Sequence, residues 1–258
     1  MIHITTAQLY VWVNAFIWPL TRILGLIAIA PVFGNSAIPV TIKVSFGAML
    51  AILVAPTLSN LPVIDPLSLP AIVILFEQFI IGVAMGFTMQ LIFAAFETAG
   101  SLIASSMGLG FATFFDPTSK GTTSAMSQFM TLLATMLFLA LNLHLDLLST
   151  LVDSFTTLPI GTGTTNGQYA DMWLHLVLSG SVIFSSGVQL ALPLITALLI
   201  TNIALGILTK AAPQLNIFGI GFPITMAVGF LMLLVIIPYF APPITQLLEF
   251  GIRHAALR

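Results

Sequence analysis

Four histidines, His3, His144, His175 and His254, are the side chains of this chain best suited to acid–base work or metal binding, and their spacing does neither. No HExxH pair occurs. His144 and Asp146 stand two residues apart, which on a helix puts them on different faces. There is no cysteine, so thiolate ligands, thiol nucleophiles and disulfides are excluded together. No glycine-rich loop closes on Gly-Lys-Ser or Gly-Lys-Thr, so a phosphate-cradling nucleotide site is not expected. No cofactor and no catalytic residue is expected, and an intramembrane enzyme reading lacks every pair it would need.

Two features do invite a chemical question. Arg22 lies inside an apolar run, where an arginine at mid-helix costs about 2.5–3.5 kcal/mol on insertion scales. It therefore calls for a partner, and Glu77 is the first candidate for a buried ion pair, with Glu97 as the second. The other feature is the segment Gly100–Ser124, rich in Gly, Ser and Thr yet carrying Phe111, Phe114 and Phe115. An aqueous surface loop rarely exposes three phenylalanines so close together, and a lipid-exposed loop would leave its backbone groups unsatisfied. Irregular backbone packed inside protein or lining a cavity remains, which is the character of a plug, filter or re-entrant loop. Met107, at its entrance, is flexible apolar filler able to join a deformable seal. Gly108 and Gly110 permit bends, and Asp116-Pro117 favours a turn.

The elements that must position these residues are helices. Apolar runs of about 8–30, 40–54, 69–96, 125–143, 174–208 and 218–237 are separated by Pro, Gly, Asn and Asp, and each approaches or exceeds the ~20 residues of a spanning helix. The second is the shortest. The fifth is too long for simple span counting, since about 35 residues of helix measure ~52 Å against a ~30 Å hydrocarbon core. Pro193 near its middle makes it two short helices or one long bent one. Gly82 and Gly86 form a small-xxx-small face suited to close helix packing. Ala28-Ile29-Ala30 imitates a cleavage site, but no Lys or Arg precedes Arg22 and Pro31 would follow the cut. The stretch is read as a retained first helix.

Composition sets the class. Of 258 residues 59% are hydrophobic and 5% charged, against roughly 25% charged in a soluble domain, so the surface must face lipid, other subunits or both. A net charge of −2 gives no footprint for nucleic acid. Orientation stays open: Lys43, Lys120 and Lys210 fall on one side of a six-span count, while Arg253 and Arg258 at the C-terminus favour the other. The expected fold is all-α, a hydrophobic membrane-complex protein of about six apolar helical segments. One unit covers residues 1–258, with a candidate plug loop at about 106–122.

The chain resembles the FliR family over nearly its whole length. The likeness is carried by FIWPLTRILGLIAIAPVFG (16–34), IPVTIKV (38–44), MGLGFATFFDP (107–117), NLHLDLL (142–148), LVDSFTTLPIG (151–161) and KAAPQLNIFGIGFP (210–223), in that order. The resemblance implies a structural subunit of the flagellar type III protein export gate, built from long bent helical hairpins. It implies one copy assembled with the P and Q subunits, the export-switch membrane protein FlhB as a further partner, and unfolded flagellar proteins as cargo. It places the chain in the bacterial inner membrane within the flagellar basal body. It also makes Met107–Pro117 part of a loop that plugs the closed pore. A virulence-secretion counterpart shares this architecture, but the 107–117 and 212–223 blocks are flagellar in wording. A small-solute secondary transporter would need paired halves with broken helices and a midplane charge cluster. No internal repeat is evident, and Arg22 is the lone candidate for such a cluster.

Overall fold

Helix formation follows from the apolar composition, because a backbone removed from water can satisfy its N–H and C=O groups within one segment only as a helix. The computed structural model describes residues 5–58, 61–109, 124–161, 168–212 and 221–256. It is 86% helical, and among the described residues no strand occurs, which makes the fold all-α. The helices are α1 (Thr6–Ile29), α2 (Val40–Val54), α3 (Leu69–Ser106), α4 (Ala125–Ala140), α5 (Leu143–Thr157), α6 (Gln168–Ala211) and α7 (Phe222–Ala255). Five are long and apolar enough to cross a membrane, and a sixth span is counted if α4 and α5 are taken as one broken pair.

Local signals set most boundaries. Thr5 caps α1 through a reciprocal box, its hydroxyl accepting from Gln8 N at 3.3 Å while Gln8 Oε1 accepts from Thr5 N at 3.0 Å. The chain leaves α1 at Ala30-Pro31 and turns on Val32, whose φ of 70° and bridging Phe33 N to Pro31 O bond (2.8 Å) define a γ-turn with a left-handed centre. A β-branched residue in that region is strained, so the surrounding corner must over-determine it. Gly34 helps to do so: its amide reaches Ala30 O at 2.8 Å, and a Cβ there would lie 2.9 Å from both Ala28 O and Ala30 O. The Lys43 ammonium then donates to Gly34 O at 2.9 Å, tying α2 back onto the corner.

Several helices differ in extent from their sequence expectation, α3 among them, which runs to Ser106 rather than about 96. The run expected over about 125–143 divides at Asn142, which adopts a left-handed conformation (φ 58°, ψ 19°) that asparagine tolerates better than most residues. The run of about 174–208, open as two short helices or one long one, is one helix of 44 residues with Pro193 inside it, longer at both ends and about 66 Å at 1.5 Å per residue. The last helix does not stop near Ile237 but continues through Pro238, Pro242 and Pro243 to Ala255. Leu233, Phe240, Ile244 and Leu248 keep an unbroken buried line across the prolines, and packing along it holds the helix despite the lost amides.

Backbone contacts divide the chain into two compact units: residues 1–91, 142–179 and 249–258 form the first, and 92–141 and 180–248 the second. The first contains a core of Trp18, Val54, Ile74, Phe155 and Ile160, with Ile17, Leu58 and Leu61 packed against it. Its tightest contact joins α1 to α3. A Cβ on Gly25 would lie 2.6 Å from Phe79 O, one on Gly82 2.0 Å from Arg22 O, and one on Gly86 2.9 Å from Leu26 O. Backbone meets backbone there, as small residues allow. Gly82→Ala forces the helices apart and should destabilise the folded protein by about 1–3 kcal/mol, the usual cost of overpacking. Gly86→Ala should cost less. Thermal unfolding of the two variants in one detergent checks the order.

Candidate functional site

Arg22 is wholly buried (0% exposed) between α1, α3 and α5, within the first unit. Its Nε donates to Gln78 Oε1 at 2.9 Å, and Nη2 donates to the same oxygen. Nη2 also reaches Leu158 O at 2.8 Å, while Nη1 reaches Ser154 O at 2.9 Å and Ser154 Oγ at 3.0 Å. The guanidinium fork has five N–H donors, and these contacts use them. Phe155 presents its ring face 4.3 Å from the guanidinium carbon, adding a cation–π contact.

The electrostatics lie in where those acceptors sit. Ser154 O and Leu158 O lie at the C-terminal end of α5, where the helix dipole is negative; Ser154 O also accepts from Leu158 N at 2.9 Å. Arg22 therefore caps α5 with a full positive charge at its negative end. On α3 the side chain described against Arg22 is Gln78, one residue beyond Glu77, which is half-buried. The sequence showed that Arg22 needs acceptors but not that an amide and a helix terminus would supply them. Asn14 and Trp18 continue the same face of α1. Asn14 Nδ2 donates to Ile64 O at 2.8 Å, so this face also fastens the connection before α3.

The second unit holds the root of the glycine-rich segment. Met107 is wholly buried, and its side chain occupies the space where Gly229 of α7 lacks one: a Cβ there would sit 2.7 Å from Met107 Cε. Thr225, one turn earlier, donates to Met107 O at 3.3 Å. Gly108 follows with a φ of 82°, a turn glycine makes readily. At the far side Ser124 caps α4 by accepting from Ser127 N at 3.1 Å, and Ser127 Oγ donates to Glu97 O of α3 at 2.9 Å. Gly100 lets α3 approach the Ser127 backbone, where a Cβ would stand 2.5 Å away. Gly110, Phe111, Phe114, Phe115, Asp116 and Pro117 lie outside the described residues. Thr225 and Gly229 were not singled out in the sequence. Their four-residue spacing in an apolar helix was the signal available.

No group of three His, Asp or Glu side chains suited to a metal ion occurs among the described residues. The arrangement is one of clamps: a charge that binds three helices together, and a methionine that seats a loop root. Together with five or six membrane-spanning candidates, it defines a helical membrane protein that works by packing.

Comparison with known proteins agrees. Residues 13–251 match the family described as bacterial export proteins, family 1. The flagellar biosynthetic protein FliR of Escherichia coli (strain K12) is 44% identical over 94% of this chain and 91% of its own length. That of Pectobacterium carotovorum subsp. carotovorum is 45% identical over 90% and 87%, and that of Buchnera aphidicola subsp. Schizaphis graminum 34% over 97% of each. The chain belongs to the FliR family of bacterial export proteins.

The bond set of Arg22 makes a prediction about energetics. Arg22→Met strips the α5 terminus and should destabilise the fold by about 3–5 kcal/mol, the range for a broken buried charge network. A double-mutant cycle of Arg22→Met with Gln78→Leu should show coupling of about 1–3 kcal/mol. Additive effects would remove Gln78 from the network.

Proposed function

We propose that this chain is a structural and gating subunit of the flagellar type III export channel, part of the path by which unfolded flagellar proteins cross the bacterial inner membrane. In this reading it assembles within the basal body with the P and Q subunits, and with FlhB beside them. The segment from Met107 to Pro117 serves as the plug of the resting pore. The observation that carries the gating part is the anchoring of both stems of residues 110–123: Met107 in the Gly229 notch on one side, Ser124 and Ser127 on the other. A plug needs anchored ends of this kind. The export part is supported by the relatives, which are flagellar biosynthetic proteins of an export family. Helix length supports it too. α3 and α6, of 38 and 44 residues, measure about 57 and 66 Å and exceed a ~30 Å hydrocarbon core. That excess suits a large assembly better than a simple transporter.

Cells carrying a deletion within residues 110–116 should assemble the complex, yet leak small ions and grow poorly. Gly229→Ala, which crowds Met107, should leak less than the deletion and more than the natural chain. Membrane conductance, measured alongside recovery of the intact complex, decides. Normal conductance with full assembly would remove the plug and leave the export assignment standing.

A further inference from the structure

Within the second unit, α3 is gripped on three sides. α4 holds it at Gly100 and Glu97 O, α6 through Gly187 against Ala95 O and Thr98, and α7 at Met107. The side left uncovered by the described residues carries Ala94, Glu97, Ser101 and Ser105, spaced by three or four residues and so on one face. Glu97, Ser101 and Ser105 are exposed and Ala94 is half-buried. Earlier along the same helix the large exposed apolar side chains are Leu69, Ile72, Val73, Phe76, Phe79 and Phe87, and no apolar one follows Phe87. The surroundings for which the sequence is built therefore change along one helix, from apolar to polar. We propose that the Glu97–Ser105 face of α3 lines a water-filled path, with the Glu97 carboxylate as a fixed negative charge on its wall. This rests on the channel reading above and deepens it by naming a wall.

Emergence of the whole unit into water would not produce this pattern. Its other helices expose Leu132 and Met136 on α4, Leu199 and Ile203 on α6, and Leu234 and Val235 on α7. The unit thus has dry faces beside the polar one on α3. Lipid does not suit the polar face, because an ionised carboxylate in hydrocarbon is strongly disfavoured, and among the described residues Glu97 has no ion pair. Ser105 Oγ donates to Ser101 O at 2.9 Å, a bond within the helix, so its hydroxyl needs no partner subunit. A smooth polar face with isolated charge suits water and small cations, and lets extended polypeptide of varied sequence slide past without a specific grip.

The absence of cysteine makes the test direct. Single-cysteine variants Glu97→Cys, Ser101→Cys and Ser105→Cys are compared with Leu132→Cys and Leu199→Cys, in cells whose motility shows that the complex is built. Membrane-impermeant methanethiosulfonate reagents, one cationic and one anionic, are applied to the complex purified from each variant strain. Modification at the three α3 positions should be at least about tenfold faster than at the apolar controls, since only ionised thiols in water react well. At Ser101→Cys the cationic reagent should outpace the anionic one, and adding Glu97→Gln should abolish that preference. Slow modification at all three positions would overturn the proposal, whether the face proves covered by a neighbouring subunit or by lipid. Equal rates for both reagents would overturn the role of Glu97. Ser101→Cys and Ser105→Cys change little in volume, so they stand if Glu97→Cys fails to assemble. Secretion of flagellar proteins by the same strains separates these failures from a failure of the export reading.

Discussion

A guanidinium that water does not reach must find every acceptor inside the protein, and that requirement at Arg22 organises the first unit. Its donors end on Gln78 of α3 and on Ser154 and Leu158 at the end of α5, so one side chain of α1 specifies where two other helices must lie. The choice of acceptors matters. The α5 terminus offers aligned peptide dipoles with their negative end toward the guanidinium. Helix and arginine satisfy each other, and Phe155 closes the site from above the plane.

This weight falls on polar bonds and backbone contact because apolar burial discriminates little in this chain. Leucine against lipid and leucine against leucine are nearly equivalent environments, so specificity must come from packing geometry and hydrogen bonds. The glycines at 25, 82 and 86 bring α1 and α3 to backbone contact, and that proximity lets Arg22 reach across to Gln78. The second unit repeats the logic without a charge, through Gly100 against Ser127 and Gly229 against Met107.

What the sequence made legible follows the same division. Runs of apolar residues located the helices, because length and composition suffice for that. Boundaries set by competition were harder to read. Proline at 238 reads as a stop, yet the buried line from Leu233 to Leu248 carries α7 beyond it. The apolar run of about 125–143 passes through Asn142, and only its left-handed backbone shows that the chain restarts there as a new helix. Arg22 announced its need for acceptors. That part of its donors would go to the end of α5 was not legible, because a helix terminus is invisible until the helix is placed. The Met107 seat was hidden for a similar reason, since glycine and threonine four apart mean nothing until a side chain fills the gap.

The central claim is that export substrates pass along this chain rather than beside it. The direct measurement is site-specific photo-crosslinking in cells where an export substrate is arrested in transit by a folded C-terminal fusion. A photoreactive residue at Ser101 should give an adduct between this chain and the arrested substrate, and one at Leu199 should not. An arrested substrate that yields no adduct from Ser101, or equal adducts from both positions, would contradict the account.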